Sequence, residues 1–410
     1  MTAEKSAPLQ GITVIDFTQM MAGPFATQIL ADLGANVIKV EKPVSGEWER
    51  GLASMGSFIE GQSPFFLAMN RGKRSLGVDL KDERGKEIVR NLIRGADVVM
   101  SNFRPGAMER LGFGFDDVRK INPDVIYLAS SGYGKSGPWV NRPGQDLLIQ
   151  SVSGLVAQNG PSSTNPIPVA TSVMDAITAL YNVIGVLAAL MGRKNSVDVG
   201  EVHVSMLSAA LAIQCQELVA HINLQQEFVR SSSGLASPWN DAPYGVYETQ
   251  DGYAAIAMAD LTVLGNLLGS AELVEIGQEE NTFLRRDDAK ALIEEKTKTF
   301  SRDELIALLL TKDIWCAPVL SFGEMLQEEQ VTGSGIIKNL DHQHYGSFDG
   351  VGLPIDFSRF SPAYDLAPPM PGQDTLEILE MAGLNSDSID KLIRDGIIST
   401  PEKQAGQDDK

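Results

Sequence analysis

Few side chains in this sequence are types that could do chemistry at a defined spacing. Asp175 stands near the head of the stretch Val169 to Gly192, which reads as a loop, a polar entry and then about five turns of nearly unbroken apolar helix. A carboxylate in that first turn either caps the helix or works as a nucleophile or base. Ser172-Val173-Met174-Asp175 has the Ser-x-x-acid spacing of a capping box, with Asp where Glu or Gln is more usual, so on these residues alone the cap is the commoner reading. Gly132-Tyr133-Gly134-Lys135-Ser136-Gly137 has G-x-G-x-x-G spacing after a strand-like run. Pro138, Trp139 and Pro143 follow, so no helix opens where a pyrophosphate would need one, and a dinucleotide site is rejected in favour of a flexible loop able to close over a substrate. The sequence holds no G-x-S-x-G, H-E-x-x-H or Walker A motif. His203 falls in a strand-like run, His221 in a helix, and His342 and His344 in a polar loop, none beside a catalytic companion. Cys215 and Cys316 lack metal-ligand spacing and read as buried thiols of a reducing compartment. No metal site is expected.

The elements that must position Asp175 follow from pattern. At 410 residues the chain exceeds the range in which one core keeps growing, so two domains are expected. A net charge of −19 argues against nucleic-acid or anionic-membrane partners, while leaving room for a local basic pocket. The beginning MTAEKSAPLQ has no apolar signal core, and the one membrane-length run contains Asp175, Thr178 and Asn182. A cytoplasmic protein with a buried core helix is expected. Apolar runs at 11–17, 35–41, 75–80, 96–103, 124–133 and 198–204 predict strands. Helical patterns lie between them, as at 81–95 and 105–112, and one long helix is predicted over 205–229. This is the pattern of an α/β protein with a Rossmann-like, doubly wound parallel sheet, which binds ligands beyond the carboxyl ends of its strands. A turn-rich linker from 231, a hairpin over 244–258 and Glu/Lys-rich helices predict a smaller α+β domain at 231–325. Residues 1–230 and 326–410 make up the large domain, the latter with strand-like pieces, two helices and a polar tail (PEKQAGQDDK) expected to be mobile.

The ordered set GITVIDFTQMMAGPFATQILADLGANVIKVEKP, NRGKRSLGVDLK, SNFRPGAMERLGF, ASSGYGKSGP and MDAITALYNVIGVLAAL closely resembles the class III CoA-transferases, a family with α-methylacyl-CoA racemase as a relative. The resemblance implies an interlocked homodimer acting on acyl-CoA and small carboxylic acids, with coenzyme A as substrate and no permanently bound cofactor. It also implies that Asp175 is a nucleophile forming first a mixed anhydride and then an aspartyl-CoA thioester. A position at a helix N-terminus suits an ionised carboxylate, and the same amides, or those of the Gly132–Gly137 loop, would stabilise the oxyanion. CoA contacts carried over from the family are Met20, Met21, Lys42, Val78, Lys81, Asn102, Phe103 and Arg110, with Lys42, Lys81 and Arg110 on phosphates. Arg71, Lys73, Arg74 and Arg104 are further cationic candidates, and Tyr133 would line the site. Ser131 stands where formyl-CoA transferase has a lysine, and no glycine run follows Ser231, so oxalate or formate specificity does not carry over. A racemase would use histidine in a G-H-D segment. Here Gly144-Gln145-Asp146 offers glutamine, which cannot abstract a proton, so transfer is preferred to isomerisation, and both to a noncatalytic CoA-binding protein.

Overall fold

The computed structural model describes residues 7–401. The six residues before them, and the expected mobile tail from residue 402 on, lie outside the described residues. By its internal contacts the chain divides into two compact units, one of 1–149, 172–212 and 334–410, the other of 150–171 and 213–333. The second unit thus takes in 150–171, 213–230 and 326–333 besides the 231–325 span.

The first unit is built on strands β1 (Thr13–Asp16), β2 (Asn36–Glu41), β3 (Lys73–Val78), β4 (Val98–Ser101), β5 (Ile126–Ser131) and β6 (Glu201–Ser205), all parallel, in the order 3-2-1-4-5-6. That is the dinucleotide-fold order, with its topological switch between β1 and β4. The central strands contribute apolar residues to both faces because helices cover both. Ile15, Val99 and Tyr127 join one core with Ile88, Ile93 and Ile378, while Val14, Val98 and Leu128 join the other with Leu30, Val183 and Val186. A short strand, Ile398–Ser399, pairs antiparallel with β3 through Val78 and Gly77. Nothing in that two-residue piece signalled it, and it brings the end of the chain back to the sheet.

Helix Val173–Lys194 carries Asp175. Its buried stripe is Met174, Thr178, Ala179, Asn182, Val183, Val186 and Ala189. It lies close on the sheet because Gly185 has no side chain: a Cβ there would stand 2.8 Å from Val202 Cγ1. Among the described residues it is also the one helix long and apolar enough to cross a membrane. The expectation of a buried core helix holds for one face only. Leu180, Tyr181, Ile184, Leu187 and Met191 form an exposed apolar stripe on the other, with Ile184 58% exposed.

The single helix expected over 205–229 is two, Met206–Ile213 and Cys215–Leu224, after β6 has run on to Ser205. The break falls at Gln214, whose buried side chain donates to Ser153 O instead of facing solvent. Cys215 is exposed and Cys316 half-buried, so the expected pair of buried thiols is corrected. In the second unit β7 (Gly245–Glu248) and β8 (Tyr253–Ala257) make the hairpin expected over 244–258. A third strand, β9 (Trp315–Pro318), adds to β8 over a core of Leu235, Tyr247, Ile256, Leu264, Ile293 and Leu305. Its four residues end in proline, too short a run to read as a strand.

Candidate active site

The carboxyl ends of β1 and β4 open into a cleft of about 480 Å³. Two backbone devices build its floor. Asn102 follows β4 and clamps Gln19 after β1, its amide donating to Gln19 O at 2.7 Å while Gln19 N–H donates to Asn102 Oδ1 at 2.9 Å. Met20, in a left-handed turn at φ 63°, then leads into helix Ala22–Asp32 at the first strand-to-helix turn, where a doubly wound fold presents backbone N–H groups to phosphate. On the far side, the turn after β5 crosses the 140–145 segment glycine on glycine. A Cβ on Gly132 would stand 2.6 Å from Gly144 Cα.

Asp175 reaches this cleft half-buried, together with Gln19, Met20, Asn102, Phe103 and Gln145. The capping box is absent: Ser172 is the N-cap residue, but its side chain makes no capping bond. Asp146 does that work from 28 positions earlier, its Oδ2 accepting from Met174 N–H at 2.7 Å and Asp175 N–H at 3.2 Å. The Asp175 side chain is thereby released from capping, and no described residue donates a hydrogen bond to its carboxylate. The same geometry overturns the expectation of a strongly ionised group. Burial first, and the neighbouring Asp146 charge second, push Asp175 up to about 7. The amides of Met174 and Asp175 are likewise taken and cannot serve an oxyanion. Gly134 N–H is spent on Ser131 Oγ, which also meets His203 Nε2 at 3.1 Å.

Beneath the strand ends lies a buried network of charge. Asp16 faces Lys73 at 3.4 Å, Lys39 faces Glu47 at 3.3 Å, and Arg50 grips both oxygens of Glu41 at 2.7 and 2.6 Å. Glu49 is buried with Oε2 unpartnered, and burial, then the Glu47 charge, push it up to about 8. This network corrects two cationic candidates. Lys73 is held by Asp16, Asn70 and Pro24, and Arg71 is locked onto Asp32 at 2.9 and 2.6 Å, so neither is available to a phosphate. Arg74 pairs with Glu377 at 3.2 Å.

Of the residues expected on CoA, Met20, Asn102 and Phe103 line the Asp175 cleft. Lys42, Lys81 and Arg110 do not: Lys42 and Lys81 stand exposed just beyond β2 and β3 and Arg110 on the short helix Ala107–Leu111, while Arg104, exposed after β4, does line it, and none of the four has a carboxylate partner among the described residues. Met21 is the N-cap residue of helix Ala22–Asp32. The Val78 side chain is in the core and its backbone pairs with Ile398. Tyr133 packs edge-on against Trp139 at 5.7 Å rather than lining the cleft. Asp146, Trp48 and Arg142 were not foreseen. Asp146 lay in a segment read only for its missing histidine, and no local spacing ties it to a helix starting 27 residues later.

The chain matches the family model described as CoA-transferase family III over residues 9–375. It is 31% identical over 402 residues to succinyl-CoA:glutarate CoA-transferase of Mus musculus, covering 96% of this chain and 91% of that one. It is 32% identical over 412 residues to formyl-CoA:oxalate CoA-transferase of Streptomyces avermitilis, covering 95% and 99%. Among solved structures, a CAIB/BAIF family protein from Brucella suis superposes with a TM-score of 0.79 at 30% identity, covering 92% of this chain and 99% of that one.

Proposed function

We propose a mechanism and a substrate class from one premise: the chain belongs to CoA-transferase family III and is a CoA-transferase. Asp175 is the covalent nucleophile. Its carboxylate oxygen attacks the acyl carbon of the donor thioester, the C–S bond breaks, and CoA leaves as thiolate, giving a mixed anhydride. The thiolate then attacks the Asp175 carbonyl carbon and expels the donor acid, giving an aspartyl-CoA thioester. The acceptor carboxylate attacks that thioester, and the thiolate returns to the acceptor's carbon, freeing Asp175. No step needs a proton removed, which suits a cleft whose Gln145 carries no base. The same glutamine weighs against an isomerase.

One observation carries this reading: Asp175 faces the cleft with its carboxylate unengaged, because Asp146 has taken over the helix cap. Lys42, Lys81, Arg104 and Arg110 are the cations we assign to the CoA phosphates, with Met20, Met21, Asn102 and Phe103 along the pantetheine and adenine. The acceptor is a small dicarboxylic acid, a class supported by the succinate, glutarate and oxalate in the relatives' names. An interlocked homodimer is supported by the exposed stripe Leu180–Ile184–Met191, which a partner chain would cover. A separately folding small domain at 231–325 is supported by a core drawn from Leu235 to Ile314. Two cysteines left free suit a cytoplasmic enzyme.

The test is an exchange assay with succinyl-CoA as donor and glutarate, oxalate or acetate as acceptor, following each new acyl-CoA by mass. Wild type forms at least one product, and Asp175→Ala loses about 10³-fold or more of the rate. Full activity in that variant removes Asp175 from the mechanism.

A further inference from the structure

The cleft contains just three charged side chains among the described residues, Asp175, Arg104 and Arg142. Neither arginine has a carboxylate partner among the described residues. The two arginines stand in different places. Arg104 follows Asn102-Phe103 at the end of β4, on the side of Lys42, Lys81 and Arg110, and belongs with the cations assigned to phosphate. Arg142 lies beyond β5, on the segment crossed by Gly132 and Gly144. Its guanidinium sits 5.0 Å over the Trp139 ring, and Trp139 is braced edge-on by Tyr133 at 5.7 Å. A guanidinium over an indole face is attracted to the ring while its N–H donors stay free to grip a carboxylate through two parallel hydrogen bonds.

We propose that Arg142 binds the remote carboxylate of a dicarboxylic substrate whose other carboxyl group reacts at Asp175. This rests on the transferase reading above and adds to it the residue that selects diacids. A monocarboxylic acid of equal length reaches Asp175 equally well but leaves Arg142 unpaired, so selection appears as a difference between the two acids and not as a general loss of rate.

In a ping-pong exchange, kcat/KM for the acceptor reports only the half-reaction in which the acceptor takes CoA from the enzyme. With succinyl-CoA as the fixed donor, kcat/KM is measured for glutarate and for pentanoate with wild type, Arg142→Gln and Arg142→Lys. Wild type favours glutarate. Arg142→Gln reduces the glutarate-to-pentanoate ratio about tenfold or more, chiefly through KM for glutarate. Arg142→Lys, with a point charge in place of a fork, lies between. An unchanged ratio, or an equal fall for both acids, overturns the assignment. If the ratio is unmoved while Asp175→Ala still abolishes exchange, the role of Arg142 fails and the transferase mechanism stands. If wild type transfers CoA to no acid, both fail.

Discussion

At the scale of single residues, the site depends on two aspartates with opposite tasks. Asp146 gives its charge to the helix terminus, and Asp175 is left with a carboxylate held near neutrality by burial and by that same charge. In the proposed mechanism the ionised form is the nucleophile, which predicts that kcat/KM rises with pH through about 7 and levels off above it, about tenfold per unit on the acid side. Because the folded value is raised, the native state also keeps this proton where the unfolded chain has lost it. This group's contribution to stability therefore falls as pH rises from about 4 to 7. Asp146→Asn keeps an oxygen for the two amides but removes the charge, and moves the acid limb of the rate profile to lower pH. A limb that stays in place would show that Asp146 acts as a cap alone. A carboxylate that caps a helix across 28 positions leaves no mark in local spacing, so the Ser172-x-x-Asp175 spacing suggested a capping box that the structure does not contain.

At the scale of elements, period and length made the sheet legible. Every predicted strand of the first unit exists, and of the residues expected on the ligand Met20, Asn102 and Phe103 line the cleft at the strand ends. Pairwise chemistry between distant segments was not legible. Lys73 and Arg71 read as candidate cations for the ligand, yet Asp16 and Asp32, 57 and 39 positions earlier, pair with them in the interior. The antiparallel strand Ile398–Ser399 is too short to show a period. The helix bearing Asp175 is seated by Gly185, whose missing side chain lets it rest on Val202. Gly185→Val forces that contact apart at a cost of about 1–3 kcal/mol, read as a lower urea midpoint, and displaces Asp175 enough to depress exchange as well. Stability equal to wild type would show that the helix is not seated there.

At the scale of the molecule, the same helix has one face in the core and an apolar stripe outside it. A chain with net charge −19 gains nothing from leaving Ile184 and Met191 in water, and a second copy is the cover the family resemblance implies. Light scattering at micromolar concentration is expected to return twice the chain mass, and the double substitution Ile184→Lys with Met191→Lys to return the single-chain mass. A single-chain mass for wild type contradicts the dimer. CoA exchange by this chain depends, in the proposed mechanism, on the covalent role of Asp175. Incubating the wild-type protein with succinyl-CoA, quenching with hydroxylamine and sequencing the peptide around Met174-Asp175 by mass spectrometry tests that role most directly. A hydroxamate on Asp175 that requires succinyl-CoA is the predicted result. Unmodified Asp175 in a preparation that is exchanging CoA would contradict the account.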